Sequence, residues 1–305
     1  MKLHHYQFTS KDDLPLPALL YESDEPSDTV AIFLHGNGSS SVFYSQEKMH
    51  LYAQSLNAHG ISFFAFNNRG ALALHSLKRR TSDGSTVRVP SGTAYEVIRD
   101  CIHDIDGAVT FLKQQGYTRF ALIGESTGAN KICVYHHYTT HSPFMSYVLL
   151  NGGDDSGIYY NILGDQEFFS LLFESKRMTE EGNGLTLHQH EAFPYPMSYQ
   201  SIADMLDPDG DYNTFPFLDS LEELHLTKKE RFHMFAAITK PTLVLYGEQD
   251  EYCYGKVPQI IELLRSKPKN PALFTIRTIP GGDHSFTGLM PSVTTQIAEW
   301  LAKQS

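Results

Sequence analysis

The sequence predicts an α/β protein with a mostly parallel sheet flanked by helices. Three observations point to it. Short β-branched and aromatic runs alternate with longer amphipathic stretches through most of the 305 residues. Most of those runs are apolar on both faces, as in central strands covered from each side. One of them passes through Gly-x-Ser-x-Gly straight into a helical pattern.

Near the start, residues 3–8 and 18–21 read as an antiparallel edge hairpin. Core strands are expected at 29–35, 62–67, 120–124, 147–151, 242–246 and 274–279. Helices are expected at about 43–58, 94–115, 127–139, 255–266 and 289–303, the first two of which end in Gly60 and Gly116. The rhythm breaks between about 154 and 237. That stretch has aromatic-rich helical patterns at 167–178 and 199–206, with Pro194, Pro196, Pro208 and Pro216 dividing the pieces, and no strongly apolar strand. An insertion of this length is too long for a plain loop and reads as a helical cap. The expected organisation is therefore a core of 1–153 and 238–305 with a cap of 154–237.

Composition narrows the function. A hydrophobic share of 41 % is enough for a large buried core, and the net charge of -11 comes from acids spread along the chain. With no basic tail or Lys/Arg run to neutralise phosphates, nucleic acid is excluded as an expected partner. No stretch approaches eighteen apolar residues, so no spanning helix and no membrane partner are expected. The start of the chain has no apolar signal segment, and the odd set Cys101, Cys133 and Cys253 is too widely spaced for a disulfide framework. A cytoplasmic location follows as the expectation, and the sequon at Asn37 carries no weight there.

The segment 120–130, Phe-Ala-Leu-Ile-Gly-Glu-Ser-Thr-Gly-Ala-Asn, carries the chemistry. A serine on a tight strand-to-helix turn needs small neighbours two residues either side, and Gly124 and Gly128 supply them. Its hydroxyl would sit at a helix N-terminus, where free N–H groups favour developing negative charge. Ser126 is thus the candidate nucleophile. Residues 31–38 form a strand ending in His35-Gly36-Asn37-Gly38, 241–250 a strand followed by Gly-x-x-Asp250, and 279–286 a strand end followed by Pro-Gly-Gly-Asp-His284.

Together these segments resemble the α/β-hydrolase superfamily of serine hydrolases over residues 29–152 and 238–305. The resemblance implies an α/β-hydrolase fold and the triad order Ser126, Asp250, His284. It also implies an oxyanion hole from the backbone N–H groups of Asn37 and Thr127. His35 and Gly36 would border the substrate. Glu248 and Glu251 lie close enough to compete with Asp250 for the acid's role. Asn68-Arg69-Gly70 is similar to the superfamily's usual Arg-Gly turn. With Gly-Glu-Ser-Thr-Gly-Ala-Asn-Lys it resembles a branch that includes fungal siderophore-ester hydrolases. Glu125 stands where much of the superfamily has His, which alters the charge beside the nucleophile.

Asp154 and Asp155 follow the strand ending at Asn151, at the sheet edge where ligands bind in such folds. Both are candidates either to cap the next helix or to face substrate, and of the two Asp154 is taken as the substrate-binding residue. The rings of Tyr159, Tyr160, Phe168, Phe169 and Phe173 are expected to form cap core, with some roofing an apolar acyl or alcohol group. Residues 207–213 alternate carboxylates, but Tyr212 and Leu218 replace the Gly and Glu of a calcium loop. Neither His188-x-His190-Glu191 nor His136-His137 has the spacing of a helical zinc site. No metal or cofactor is expected. The expected activity is hydrolysis of a small or medium carboxylic ester. Thioesterase, amidase or peptidase and acyltransferase chemistry use the same triad, and a non-catalytic receptor on this fold is the alternative of another class. Oligomeric state is left open.

Overall fold

Eight strands form one sheet in the computed structural model, which describes residues 1–304, in the order β1-β2-β4-β3-β7-β8-β11-β12. These are β1 (Lys2–Thr9), β2 (Pro15–Glu22), β3 (Thr29–Leu34), β4 (Ser62–Phe66), β7 (Arg119–Glu125), β8 (Phe144–Leu150), β11 (Thr242–Gly247) and β12 (Phe274–Ile279). The β1–β2 and β2–β4 pairs are antiparallel and every other pair is parallel. β3, β4 and β11 are buried along their whole length, which is why their sequences lack alternation.

Two apolar layers cover the sheet. On one face α1 (Gln46–Asn57) and α9 (Met290–Ala302) pack through Tyr52, Leu56, Ile297 and Leu301. On the other lie α2 (Cys101–Gln114), α3 (Thr127–Tyr138) and α8 (Val257–Ser266), and their core is continuous with Phe168, Ile202 and Phe217 from the segment after β8. That segment contains α4 (Asp155–Glu180), α5 (Tyr199–Leu206), α6 (Phe217–Leu221) and α7 (His233–Ala236).

The differences from the sequence expectation have local causes. The helix expected at 94–115 begins only at Cys101. Two short 3-10 turns precede it, and Val97 between them is extended, which takes the chain past the buried Glu96. The helix expected at 167–178 extends to 155–180 and bends at Gly164, whose φ of 73° lies outside the helical region. The segment 154–237 is not free of strands: β9 (Leu187–His188) pairs with β10 (Met197–Ser198). A second hairpin, β5 (His75–Arg80) and β6 (Thr86–Ser91), stands between β4 and α2. Its strands are rich in Lys and Arg, so no apolar run announced them, although Asp83-Gly84 marks the turn.

No described helix is long and apolar enough to cross a membrane. All three cysteines are free and buried.

Candidate active site

Five loops at the carboxyl ends of parallel strands converge on one cavity of about 450 Å³. Ser126 stands between β7 and α3 with φ 55° and ψ -128°, a strained conformation held by its surroundings. Its backbone N–H donates to the Leu150 carbonyl at 2.8 Å. A Cβ at position 124 would lie 2.2 Å from the Gly128 carbonyl oxygen, and one at position 128 would lie 2.2 Å from that of Leu34, so the turn admits neither. At Gly36 a Cβ would come within 2.8 Å of the Ser126 Cβ, so the loop after β3 passes directly against the serine.

The His284 Nε2 is 3.0 Å from the Ser126 Oγ, and its Nδ1 is 3.0 Å from each Asp250 carboxylate oxygen. Asp250 is buried, and its Oδ1 also accepts the Tyr252 backbone N–H at 3.0 Å. Glu251, the nearest competitor in sequence, accepts the His284 backbone N–H at 3.0 Å instead. The other competitor, Glu248, accepts from Gly281 N–H. The chain of bonds therefore runs Ser126, His284, Asp250. Among the described residues, neither Asn37 nor Thr127 engages its backbone N–H in a hydrogen bond. Thr127 opens α3, where such a donor has no partner within the helix.

Asn151, which the sequence reading treated only as the end of a strand, ties two of these loops together. Its side-chain amide donates to the His284 carbonyl at 2.7 Å and accepts the Gly247 N–H at 2.8 Å. A polar residue closing an otherwise apolar strand was the available signal, and the structure holds it buried in the left-handed conformation, φ 45°.

Burial disfavours the His284 imidazolium, but the bond to Asp250 and the charges of Asp250, Glu125 and Glu251 outweigh it and raise the pKa above the ordinary histidine value. Removing one of those charges lowers that pKa. In Glu251→Gln the acid limb of the kcat/KM profile is expected to move to lower pH by a few tenths of a unit, modest because Glu251 is exposed and screened. The amide can still accept the His284 N–H. A limb that stays put or moves upward, followed by ester hydrolysis between about pH 5 and 9, would exclude this charge coupling.

The remaining expected residues divide. His35 borders the cavity, yet both ring nitrogens are engaged: Nε2 accepts the Asn68 N–H at 3.2 Å, so Nδ1 carries the proton toward the Gly36 carbonyl at 2.9 Å. Burial, with Lys131 nearby, lowers its pKa to about 3, so it stays neutral and fixes the loop that carries Gly36 and Asn37. Glu125, where much of the superfamily has His, is ion-paired with Lys48 of α1.

Asp154 does not face the cavity as expected. It is the N-cap of α4: its carboxylate accepts Gly157 N–H at 3.0 Å, Leu218 N–H at 2.7 Å and the Tyr254 hydroxyl at 3.0 Å. Burial pushes its pKa up to about 7. The cavity wall is reached one residue later, by Asp155.

Of the aromatic residues expected as cap core, some of them over the substrate, Tyr159 lines the cavity, Phe168 is core, and Phe173 is 64 % exposed. Tyr195 and Tyr252 complete the wall, the latter with its ring 4.6 Å from that of His284. No cluster of three or more His, Cys, Asp or Glu side chains among the described residues could hold a metal ion.

The sequence matches the family Hydrolase_4, described as serine aminopeptidase, S33, over residues 25–288. No curated protein matches it. Est1E from Butyrivibrio proteoclasticus, solved with ferulic acid, superposes with a TM-score of 0.64 at 15% identity over 98% of this chain and 99% of that one. The α/β-hydrolase GrgF from Penicillium sp. sh18 gives 0.62 at 16% identity over 100% and 99%. A soluble variant of monoglyceride lipase from Saccharomyces cerevisiae, in complex with a substrate analog, gives 0.60 at 15% identity over 100% and 96%. At such identities the likeness speaks for the fold, and the sequence match spans most of the chain. The chain thus has the α/β-hydrolase fold and, by the match over residues 25–288, belongs to Hydrolase_4, the serine aminopeptidase (S33) family.

Proposed function

We propose that the protein cleaves small or medium carboxylic esters through an acyl-enzyme, with Ser126 as nucleophile, His284 as general base and Asp250 as the acid that orients it. The observation carrying this reading is the unbroken bonding from Ser126 Oγ through the imidazole to Asp250, opening on the cavity. His284 Nε2 takes the hydroxyl proton as Oγ attacks the acyl carbon, and returns it to the leaving alcohol. The tetrahedral oxyanion is held by the Asn37 and Thr127 N–H groups, aided by the N-terminus of α3. Water, deprotonated by His284, then attacks the acyl-enzyme and releases the acid. Residues 154–237 act as the cap of the cavity. The three unpaired cysteines accord with a cytoplasmic setting.

Esters come first because the similar solved structures include an esterase domain from Rhodothermus marinus, the esterase Pf2001 from Pyrococcus furiosus and the monoglyceride lipase. The family's description favours a second reading, release of an N-terminal residue from a peptide by the same triad. Labelling with a fluorophosphonate followed by peptide mapping tests the nucleophile, and matched nitrophenyl esters and aminoacyl anilides separate the two reactions. The expected result is a single label on Ser126, lost after pretreatment with a serine-directed inhibitor, and faster turnover of esters. A cavity of about 450 Å³ favours short and medium acyl chains over long ones. Catalytically competent protein carrying its label elsewhere would overturn the assignment.

A further inference from the structure

Asp155 opens α4 directly after the loop that carries Gly152 and Gly153, and its side chain belongs to the wall of the catalytic cavity. The Oδ1 accepts only a long bond, 3.3 Å, from Asn37 Nδ2. The Oδ2 is buried and has no hydrogen-bond partner. The other charged groups around the cavity are matched: Lys48 with Glu125 and His284 with Asp250, while Lys131 beneath is paired with Glu96. Asp155 has no basic partner of its own. Burial pushes its carboxyl up to about 6, against the opposing pull of His284 and Lys131.

An oxygen removed from water without a donor carries a desolvation cost that a bound donor would relieve. The neighbouring Asn37 cannot relieve it further. Its Oδ1 accepts the Tyr212 hydroxyl at 2.8 Å, which fixes the amide with Nδ2 toward the Asp155 Oδ1 and leaves Oδ2 unserved. The wall beside Asp155 offers Ile158 and Tyr159, surfaces that would hold the carbon frame of a ligand.

We propose that Asp155 determines substrate specificity by accepting a hydrogen bond from a hydroxyl or ammonium group carried by the substrate near its scissile carbonyl. The preferred substrates are then hydroxy- or amino-substituted esters, bound with their apolar frame against the cavity wall and their donor on the orphaned carboxylate oxygen. This rests on reading the cavity as the substrate site, and deepens that reading from esters in general to donor-bearing ones.

The test uses matched esters that differ only in having a hydroxyl, an ammonium or a methyl group at one position, placed in turn on the acyl and the alcohol side. Hydrolysis is followed by titration of the released acid. In the wild type, at least one donor-bearing ester should exceed its methyl isostere in kcat/KM by about tenfold or more, as expected for a hydrogen bond to a charged group. Asp155→Leu should bring that ratio close to one. Asp155→Asn, nearly isosteric and able to accept from a hydroxyl but uncharged, should erase more of an ammonium preference than of a hydroxyl preference.

A ratio near one for every pair in the wild type would overturn the proposal, because water would then serve Asp155 as well as substrate does. So would variants that slow all esters alike while keeping the wild-type ratio, since that pattern means Asp155 only steadies Asn37. Failure of the hydrolase reading looks different: no Ser126 label and no turnover of any ester. The Asp155 assignment is then decided by calorimetry of the same pairs with Ser126→Ala protein, where the donor-bearing member should bind about tenfold more tightly and equal affinities would refute it.

Discussion

Ser126→Ala is expected to lower kcat/KM for ester substrates by about four to six orders of magnitude, the loss seen when one member of a cooperating triad is removed. A residual rate is expected from binding and from the two proposed oxyanion donors, which the substitution leaves in place. The fold should survive. The Oγ contributes a single side-chain bond, to His284, and alanine meets the same backbone demand at φ 55° as serine does. Circular dichroism and the thermal midpoint should therefore match the wild type while single-turnover hydrolysis collapses. An alanine variant that hydrolyses esters at close to the wild-type rate would remove Ser126 from the chemistry.

The second large effect concerns stability. Lys131, one turn into the helix behind the nucleophile, is wholly buried, with its ammonium 2.5 Å from the carboxylate of Glu96, itself buried. Asn68 Oδ1 accepts from the same ammonium at 3.3 Å. Lys131→Met strands the carboxylate in the interior and is expected to cost about 3–5 kcal/mol of unfolding free energy. Replacing both partners, as in Lys131→Met with Glu96→Leu, should recover most of that loss, because an apolar pair needs no desolvation of charge. Denaturant midpoints of the two single variants and the double variant test this. If the double is no more stable than Lys131→Met alone, the pair is not what holds α3 to the segment before α2.

The three residues of the proposed triad could be picked out in the sequence because each is encoded locally. Ser126 follows a buried strand and lies between two glycines, Asp250 follows a strand by a short turn, and His284 does the same before the last helix. Strand endings of this kind depend on few neighbours, and the structure brings all three to one hydrogen-bonded line.

What escaped the sequence depends on contacts between distant segments. Nothing local distinguishes Asp154 from Asp155. The phase of the first turn of α4, set by the bonds of Asp154 to Gly157, Leu218 and Tyr254, turns one carboxylate into a cap and leaves the next on the cavity wall. The late start of α2 has a similar origin. Glu96 must reach Lys131, so residues that could have been helical are held in short turns. The β5–β6 hairpin lacked an apolar run because its strands are largely solvent-facing.

Asn37 is gripped from above by Tyr212 and Asp155, both contributed by the polypeptide inserted after β8. The residue whose backbone N–H is proposed to receive negative charge thus has its side chain anchored by residues foreign to the sheet that bears the serine. If this insertion covers the substrate as proposed, covering it and anchoring the Asn37 loop are one event, and a molecule with the insertion displaced is expected to keep the Ser126–His284–Asp250 bonds while losing both anchors of the Asn37 side chain.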